Sequence, residues 1–268
     1  MTTRRSRERK RHVQLDLLNQ AGTKKKSATG GKKRGAGRPP TGKRAGSPHK
    51  RREAFKASQP IHVVLRIERV MGNLRRRGMY RAVRGATMTV AVREDFRIIH
   101  LSIQRTHLHL LIEADNRVAL TRGMQGFQIS AAKLMNAALK WKIRRRGQVF
   151  ADRYHPEVIT SPRQARHALA YVLNNWRKHR EDAGRSWNVD PFSSGCSFTG
   201  WKALEEQLVM WKLPPTYDAM IVWLPKTWLL TEGWRNHGRI GFREIPSSGT
   251  KRPRRGSREI ASGQPAEG

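Results

Sequence analysis

Phe96-Arg97-Ile98-Ile99-His100-Leu101-Ser102-Ile103 and Thr106-His107-Leu108-His109-Leu110-Leu111-Ile112-Glu113 are two apolar runs separated by Gln104-Arg105. They read as neighbouring strands joined by a tight turn. Upstream, Ile61-His62-Val63-Val64-Leu65-Arg66-Ile67 is β-branched-rich and predicts another strand, and 79–95 predicts a helix. Downstream, Leu120, Met124, Phe127, Ala131, Leu134 and Met135 recur at spacings of three and four. That period predicts a long helix over 117–141, broken by Arg144-Arg145-Arg146-Gly147. Residues 148–159 predict a short extended segment interrupted by Pro156. Ser161 as N-cap and Pro162 at the first helical position then open a last helix that continues to about Lys178. The order β-α-β-β-α-β-α predicts an α+β fold. Its first six elements form a ferredoxin-like palm (β-α-β-β-α-β), one antiparallel sheet with two helices on one face, and the last helix is added to it.

The chain around this palm is strongly basic. Its 268 residues carry 55 Lys+Arg against 20 Asp+Glu, a formal net charge of +35, with 37% hydrophobic residues. Such a charge opposes compaction unless polyanions neutralise it, so nucleic acid is the expected partner. Residues 1–60 hold 19 Lys+Arg and 3 Asp+Glu with almost nothing apolar to bury. They read as a disordered basic arm. Within the arm, Lys33-Arg34-Gly35-Ala36-Gly37-Arg38-Pro39-Pro40 resembles an AT-hook, which lies in a narrow minor groove. The plainer reading is an arm whose Arg34 and Arg38 bind phosphates without sequence preference. Residues 246–268 read as a second disordered basic tail.

Residues 61–180 are the expected catalytic domain and 181–245 a Trp-rich extension packed on it. Six of the eight tryptophans fall in the extension: Trp187, Trp201, Trp211, Trp223, Trp228 and Trp234. Burial is the expected role for most, with stacking on unpaired bases as the alternative. Cys196 is the one cysteine, which excludes an internal disulfide and any zinc site needing two thiolates. No apolar run, 220–224 included, comes near the ~20 residues of a membrane span. No signal-peptide pattern is present, so a cytoplasmic, nucleoid-associated location is expected.

Chemistry is concentrated in two places. Side chains alternate along a strand, so His107 and His109 share one face and Leu108 and Leu110 the other. Two imidazoles about 7 Å apart along one strand can grip a metal ion. Alone, they read better as two half-exposed histidines without a ligand, because two nitrogens do not complete a metal site. On the last helix Tyr171 and Asn175 are four apart and share a face, beside a stripe of Leu169, Val172, Leu173 and Trp176. Taken alone, Tyr171 reads as a core tyrosine with a wet hydroxyl; the His pair and the Tyr/amide pair together point to chemistry. Glu113 and Asp115 stand near the His pair and read as strand end and helix cap, with an extra ligand or base as the alternative. Tyr154 is a competing nucleophile without an amide partner. His167, one turn before Tyr171, either orients its hydroxyl or is a surface histidine.

These residues resemble the REP-associated tyrosine transposases, within the single-tyrosine HUH transposases. His107-Leu108-His109 stands as the His-hydrophobic-His hallmark, and Tyr171-Val172-Leu173-Asn174-Asn175 as the tyrosine with an amide four residues on. Gly147-Gln148-Val149-Phe150-Ala151-Asp152-Arg153-Tyr154-His155 resembles the segment between the two motifs. The resemblance covers about 61–180, and more loosely Pro225-Lys226-Thr227-Trp228-Leu229-Leu230 and the residues after it. Trp176 stands where many relatives carry proline.

The resemblance implies that His107, His109 and Asn175 hold one divalent ion, Mg²⁺ or Mn²⁺. It implies that Tyr171 attacks phosphorus to give a 5′-phosphotyrosine and a free 3′-OH. It also implies a substrate of single-stranded DNA with palindromic, hairpin-forming repeats, and a homodimer or a monomer. Arg144, Arg145, Arg146 and Arg153 join Arg34 and Arg38 as expected DNA contacts. The competing reading is a non-catalytic nucleic-acid binder on the same palm. An RNA-binding palm carries aromatics on its strand faces, and 61–67 has none.

Overall fold

The structure is a computed structural model that describes residues 54–139, 147–184, 186–202 and 217–245. Four strands, β1 (Ile61–Arg66), β2 (Phe96–Ile103), β3 (His107–Ala114) and β4 (His155–Val158), form one sheet in the order β2-β3-β1-β4. All pairings are antiparallel. With helices α1 (Arg77–Ala91) between β1 and β2 and α2 (Arg117–Ala138) between β3 and β4, this is the ferredoxin-like topology. Pro156 sits inside β4, an edge strand, where its missing N–H costs no ladder bond on the open side.

Alternation along the strands divides the molecule into two cores. Ile61, Val63 and Leu65 of β1 and Leu108, Leu110 and Ile112 of β3 face α1 and α2. Gly123 of α2 lies so close to β2 that a Cβ there would come within 2.1 Å of the Phe96 ring. The opposite face is covered by α3 (Pro162–Lys178), whose Leu169, Ala170 and Leu173 join Ile99 and Leu111 of the sheet. Ser161 caps α3 by accepting from the Gln164 N–H, with Pro162 in the first turn, as its sequence predicts. At the start of α2 the cap is Asn116, not Asp115. Its side chain accepts from Val118 and Ala119 N–H.

The extension covers the β2 edge. Ile103 N–H donates to Phe192 O, Trp223 N–H to Ile98 O, and Leu101 N–H to Ser194 Oγ. An otherwise open strand edge is thereby closed, and all eight β2 residues are buried. Glu113, fully buried, accepts from Arg97, from Lys226 and Thr227 N–H and from the Thr227 hydroxyl. It clamps the extension to β3, so it is not a free acid. The tryptophans divide: Trp201 and Trp234 are buried with α3, whereas Trp223 and Trp228 are 43% and 56% exposed. Trp187 is half-buried and Trp211 lies outside the described residues. Among the described residues no helix is long and apolar enough to cross a membrane.

His100 on β2 is a structural histidine with a measurable signature. Ser194 Oγ accepts from Leu101 N–H, which leaves its hydroxyl proton for His100 Nδ1, 3.0 Å away. Burial pushes the His100 pKa down to about 4. An unfolded imidazole takes its proton near ~6.5. As pH falls from there towards 4 the unfolded chain binds a proton that the folded chain refuses. Stability is therefore full above ~6.5 and drops by ~1.4 kcal/mol per pH unit for this group within that window. Urea midpoints followed by tryptophan fluorescence should fall between pH 7 and pH 5, and less steeply in His100→Gln. Parallel profiles for the two proteins would rule His100 out as a source of acid lability.

Candidate active site

The α3 face of the sheet carries a cluster of rings. In the strand register Val64 of β1 pairs with His109 of β3 and His62 pairs with Leu111, so His62 stands diagonal to His109. His107 and His109 share this face as alternation requires, with ring centroids 4.7 Å apart. Helix α3 crosses above and brings the Tyr171 ring edge-on to His109 at 5.0 Å and to His62 at 5.8 Å. His179, the C-cap of α3, approaches His107 at 5.9 Å. The expected nucleophile and both expected imidazole ligands, remote in sequence, are thus in one cluster.

Electrostatics sharpen the assignment. Burial lowers the His107 pKa to about 4 and pushes His109 lower still, helped by the neighbouring imidazoles. Both rings are neutral at pH 7, the state in which imidazole is a ligand. Burial raises the Tyr171 phenol, so it is protonated at neutral pH. The Lys178 ammonium lies 5.3 Å from the Tyr171 ring centroid, a cation–π contact. Lys178 reaches this point because α3 runs on past Trp176 to Lys178. A proline at 176 would clash with the carbonyl four residues back and remove a helical N–H. Trp176 instead is fully buried under the Arg177 guanidinium.

Among the described residues, two of the expected ligands have buried polar atoms without a hydrogen-bond partner. His109 Nε2 is buried with no hydrogen bond, and so are both amide atoms of the fully buried Asn175, one turn beyond Tyr171. Leaving a buried polar atom unpaired costs about 1–3 kcal/mol, so these atoms call for a partner that the described residues do not supply. Two neutral imidazoles and an amide oxygen are a donor set that suits Mn²⁺, and Mg²⁺ less well. Among the described residues no three His, Cys, Asp or Glu are grouped to hold a metal. His107, His109 and Asn175 fit a divalent ion on these grounds.

The other expected residues fall elsewhere. His167 is exposed on α3. Tyr154 is buried ahead of β4, beside a cavity of about 430 Å³ lined also by Gln128, Gln148, Phe150, Asp152 and exposed Arg153. Arg153 is therefore at a different place from the ring cluster. Arg34, Arg38, Arg144, Arg145 and Arg146 lie outside the described residues. Sequence reasoning passed over His62, Lys178 and His179. A histidine in an otherwise apolar strand was the one available signal for His62.

Residues 56–175 match the family model described as IS200-like transposase. That span runs from the turn before β1 to Asn175, so it takes in both histidines, Tyr171 and the amide. No curated protein matches the chain significantly. Among solved structures, one similar chain is a REP-associated tyrosine transposase bound to a REP hairpin, 16% identical, covering 67% of this chain and 99% of its own, with a TM-score of 0.44. Another is a putative transposase from Deinococcus radiodurans, 11% identical, covering 53% of this chain and all of its own, with a TM-score of 0.32. The likeness to the IS200-like transposase model thus spans 56–175, somewhat under half of the 268 residues.

Proposed function

We propose that this chain is a transposase of the REP-associated tyrosine type and cuts and rejoins single-stranded DNA beside hairpin-forming repeats. Tyr171 Oη attacks the scissile phosphorus. The P–O3′ bond breaks, the phenolic proton is lost, and the departing 3′ oxygen takes up a proton. The products are a 5′-phosphotyrosine and a free 3′-OH. The covalent bond retains the energy for rejoining, so no nucleotide cofactor is consumed. The observation that carries this reading is the Tyr171 ring against His109, whose buried Nε2 has no partner. His107, His109 and Asn175 would hold Mg²⁺ or Mn²⁺, which when bound supplies Lewis-acid charge at the phosphate. The hairpin-repeat substrate, and a homodimer or monomer on the nucleoid of the cytoplasm, follow from the motif resemblance. Incubation with hairpin single-stranded DNA and Mn²⁺ should give a protein–DNA adduct that survives denaturation. Binding without any adduct would leave the non-catalytic binder as the correct description.

The basic arms supply affinity in this proposal, with Arg34 and Arg38 in the first arm and Arg144, Arg145, Arg146 and Arg153 on the catalytic domain touching DNA. Phe55 packs against the palm core, so the informative deletion removes 1–53, with 18 basic and 3 acidic residues. Each lost phosphate contact flattens the plot of log affinity against log salt by ~0.7 for single strands. The truncated protein should bind less tightly at low salt with a shallower slope, and cleave at the full-length rate when DNA is saturating. An unchanged slope would mean that the arm does not touch DNA.

A further inference from the structure

His62 belongs to neither motif, yet it makes the closest side-chain contact to the proposed ligand His109. Its Nε2 lies 3.1 Å from His109 Nδ1, with the rings stacked 5.3 Å apart at an interplanar angle of 19°. On its other side His62 Nδ1 lies 3.9 Å from Glu157 Oε2, across the β1–β4 pairing where the two residues are direct neighbours. The His62 side chain is 12% exposed and that of Glu157 74%. The Glu157 carboxyl is held below its ordinary value, first by the neighbouring His62 imidazole.

Proton placement follows from these contacts. At 3.9 Å the Glu157 carboxylate is beyond direct hydrogen-bond range, but its charge favours the neutral His62 tautomer that carries the proton on Nδ1. A neutral imidazole has one N–H, so His62 Nε2 is then bare and accepts across the 3.1 Å contact. His109 Nδ1 must be the donor. That leaves His109 Nε2 with a free lone pair, and Nε2 is the buried atom that lacks a partner. The stacked ring also fixes the plane of His109.

We infer that Glu157 and His62 form a positioning relay that holds His109 in its Nδ1–H tautomer and presents Nε2 to a divalent cation. The cation role rests on the metal reading above; the tautomer does not. Ligand histidines commonly donate their second N–H to an outer acceptor, and losing that acceptor costs about 10–100-fold in metal affinity. Here the outer acceptor is another imidazole on the adjacent strand. Glu157 is mostly exposed, so His62 carries most of the effect.

The test uses the full chain with ¹⁵N-labelled histidine and two variants. His62→Leu keeps side-chain volume without an acceptor, and His62→Gln restores a carbonyl acceptor. Long-range ¹H–¹⁵N spectra of the metal-free protein should show His109 protonated at Nδ1 in the wild type and in His62→Gln, and shifted towards the Nε2–H form in His62→Leu. Mn²⁺ affinity, read from the free-ion paramagnetic resonance signal, should fall about 10–100-fold in His62→Leu and largely recover in His62→Gln. A wild-type His109 protonated at Nε2 overturns the relay. So does wild-type Mn²⁺ affinity in His62→Leu, provided the wild type binds the ion and His109→Ala does not. A wild type that binds no Mn²⁺ overturns the metal reading and the relay's cation role with it, while the tautomer spectra still report whether His62 sets the His109 proton.

Discussion

Tyr171→Phe should abolish formation of the covalent DNA adduct and leave hairpin affinity within about twofold of the wild type. The change removes one hydroxyl and no charge. The aromatic ring remains, so the edge-on contacts to His109 and His62 and the Lys178 contact are retained. Folding is therefore expected to survive, because the hydroxyl of half-buried Tyr171 makes no hydrogen bond that anchors the helix. The effect on chemistry should be total, since Phe offers no nucleophilic atom. The raised phenol pKa adds a second reading. Below about one part in a thousand of a phenol with pKa above 10 is ionised at pH 7, so adduct formation in the wild type should accelerate as pH rises above neutrality. The remaining tyrosines are poorly placed to substitute. Tyr80 donates to Asp218 O and packs with Phe192 and Tyr217, and Tyr154 is buried beside the separate cavity. An adduct in Tyr171→Phe at the wild-type rate would remove Tyr171 as nucleophile and bring Tyr154 forward.

What made the fold legible was local and periodic. The β3 run, the three-and-four spacing of α2 and the Ser161-Pro162 start of α3 each express one physical rule within one segment, and each element forms close to where the rule places it. The rest depended on pairing across segments. The irregularity between Ile98 and His100 reverses the alternation in mid-strand, sending Ile99 to the α3 face and Leu101 back to the first core. No pattern in those eight residues reveals such a shift. His62 was invisible for a similar reason: its meaning lies in the β1–β3 register, which sets it diagonal to His109. The extension's hold on β2 and Glu113 uses backbone N–H groups, which leave no residue signature. Trp176 read from sequence as a departure from proline. In three dimensions it lets α3 continue and carry Lys178 back over Tyr171.

His109→Ala should also eliminate cleavage, by a different route that leaves Tyr171 in place. The ring is 3% exposed and touches His62, His107 and Tyr171. Removing it withdraws one of two proposed imidazole ligands and the ring that packs against the nucleophile. With Asn175 and His107 alone, two donors remain, too few to hold a divalent ion against water. Excess Mn²⁺ should therefore restore little activity. Stability should change less than the burial suggests. The lost packing is opposed by removal of the unpaired Nε2, itself a cost of about 1–3 kcal/mol. Hairpin binding should persist, because phosphate contacts by basic residues dominate affinity. The pH dependence separates the metal from the fold. The depressed pKa values of His107 and His109 keep both rings neutral down to about pH 5, so Mn²⁺ binding by the wild type should hold from pH 8 to pH 6. A group titrating near its ordinary ~6.5 would lose the ion in that interval. Full cleavage in the presence of EDTA would end the metal reading for His107, His109 and Asn175 together. Cleavage by His109→Ala at the wild-type rate would remove His109 from the site while leaving Tyr171 as the nucleophile.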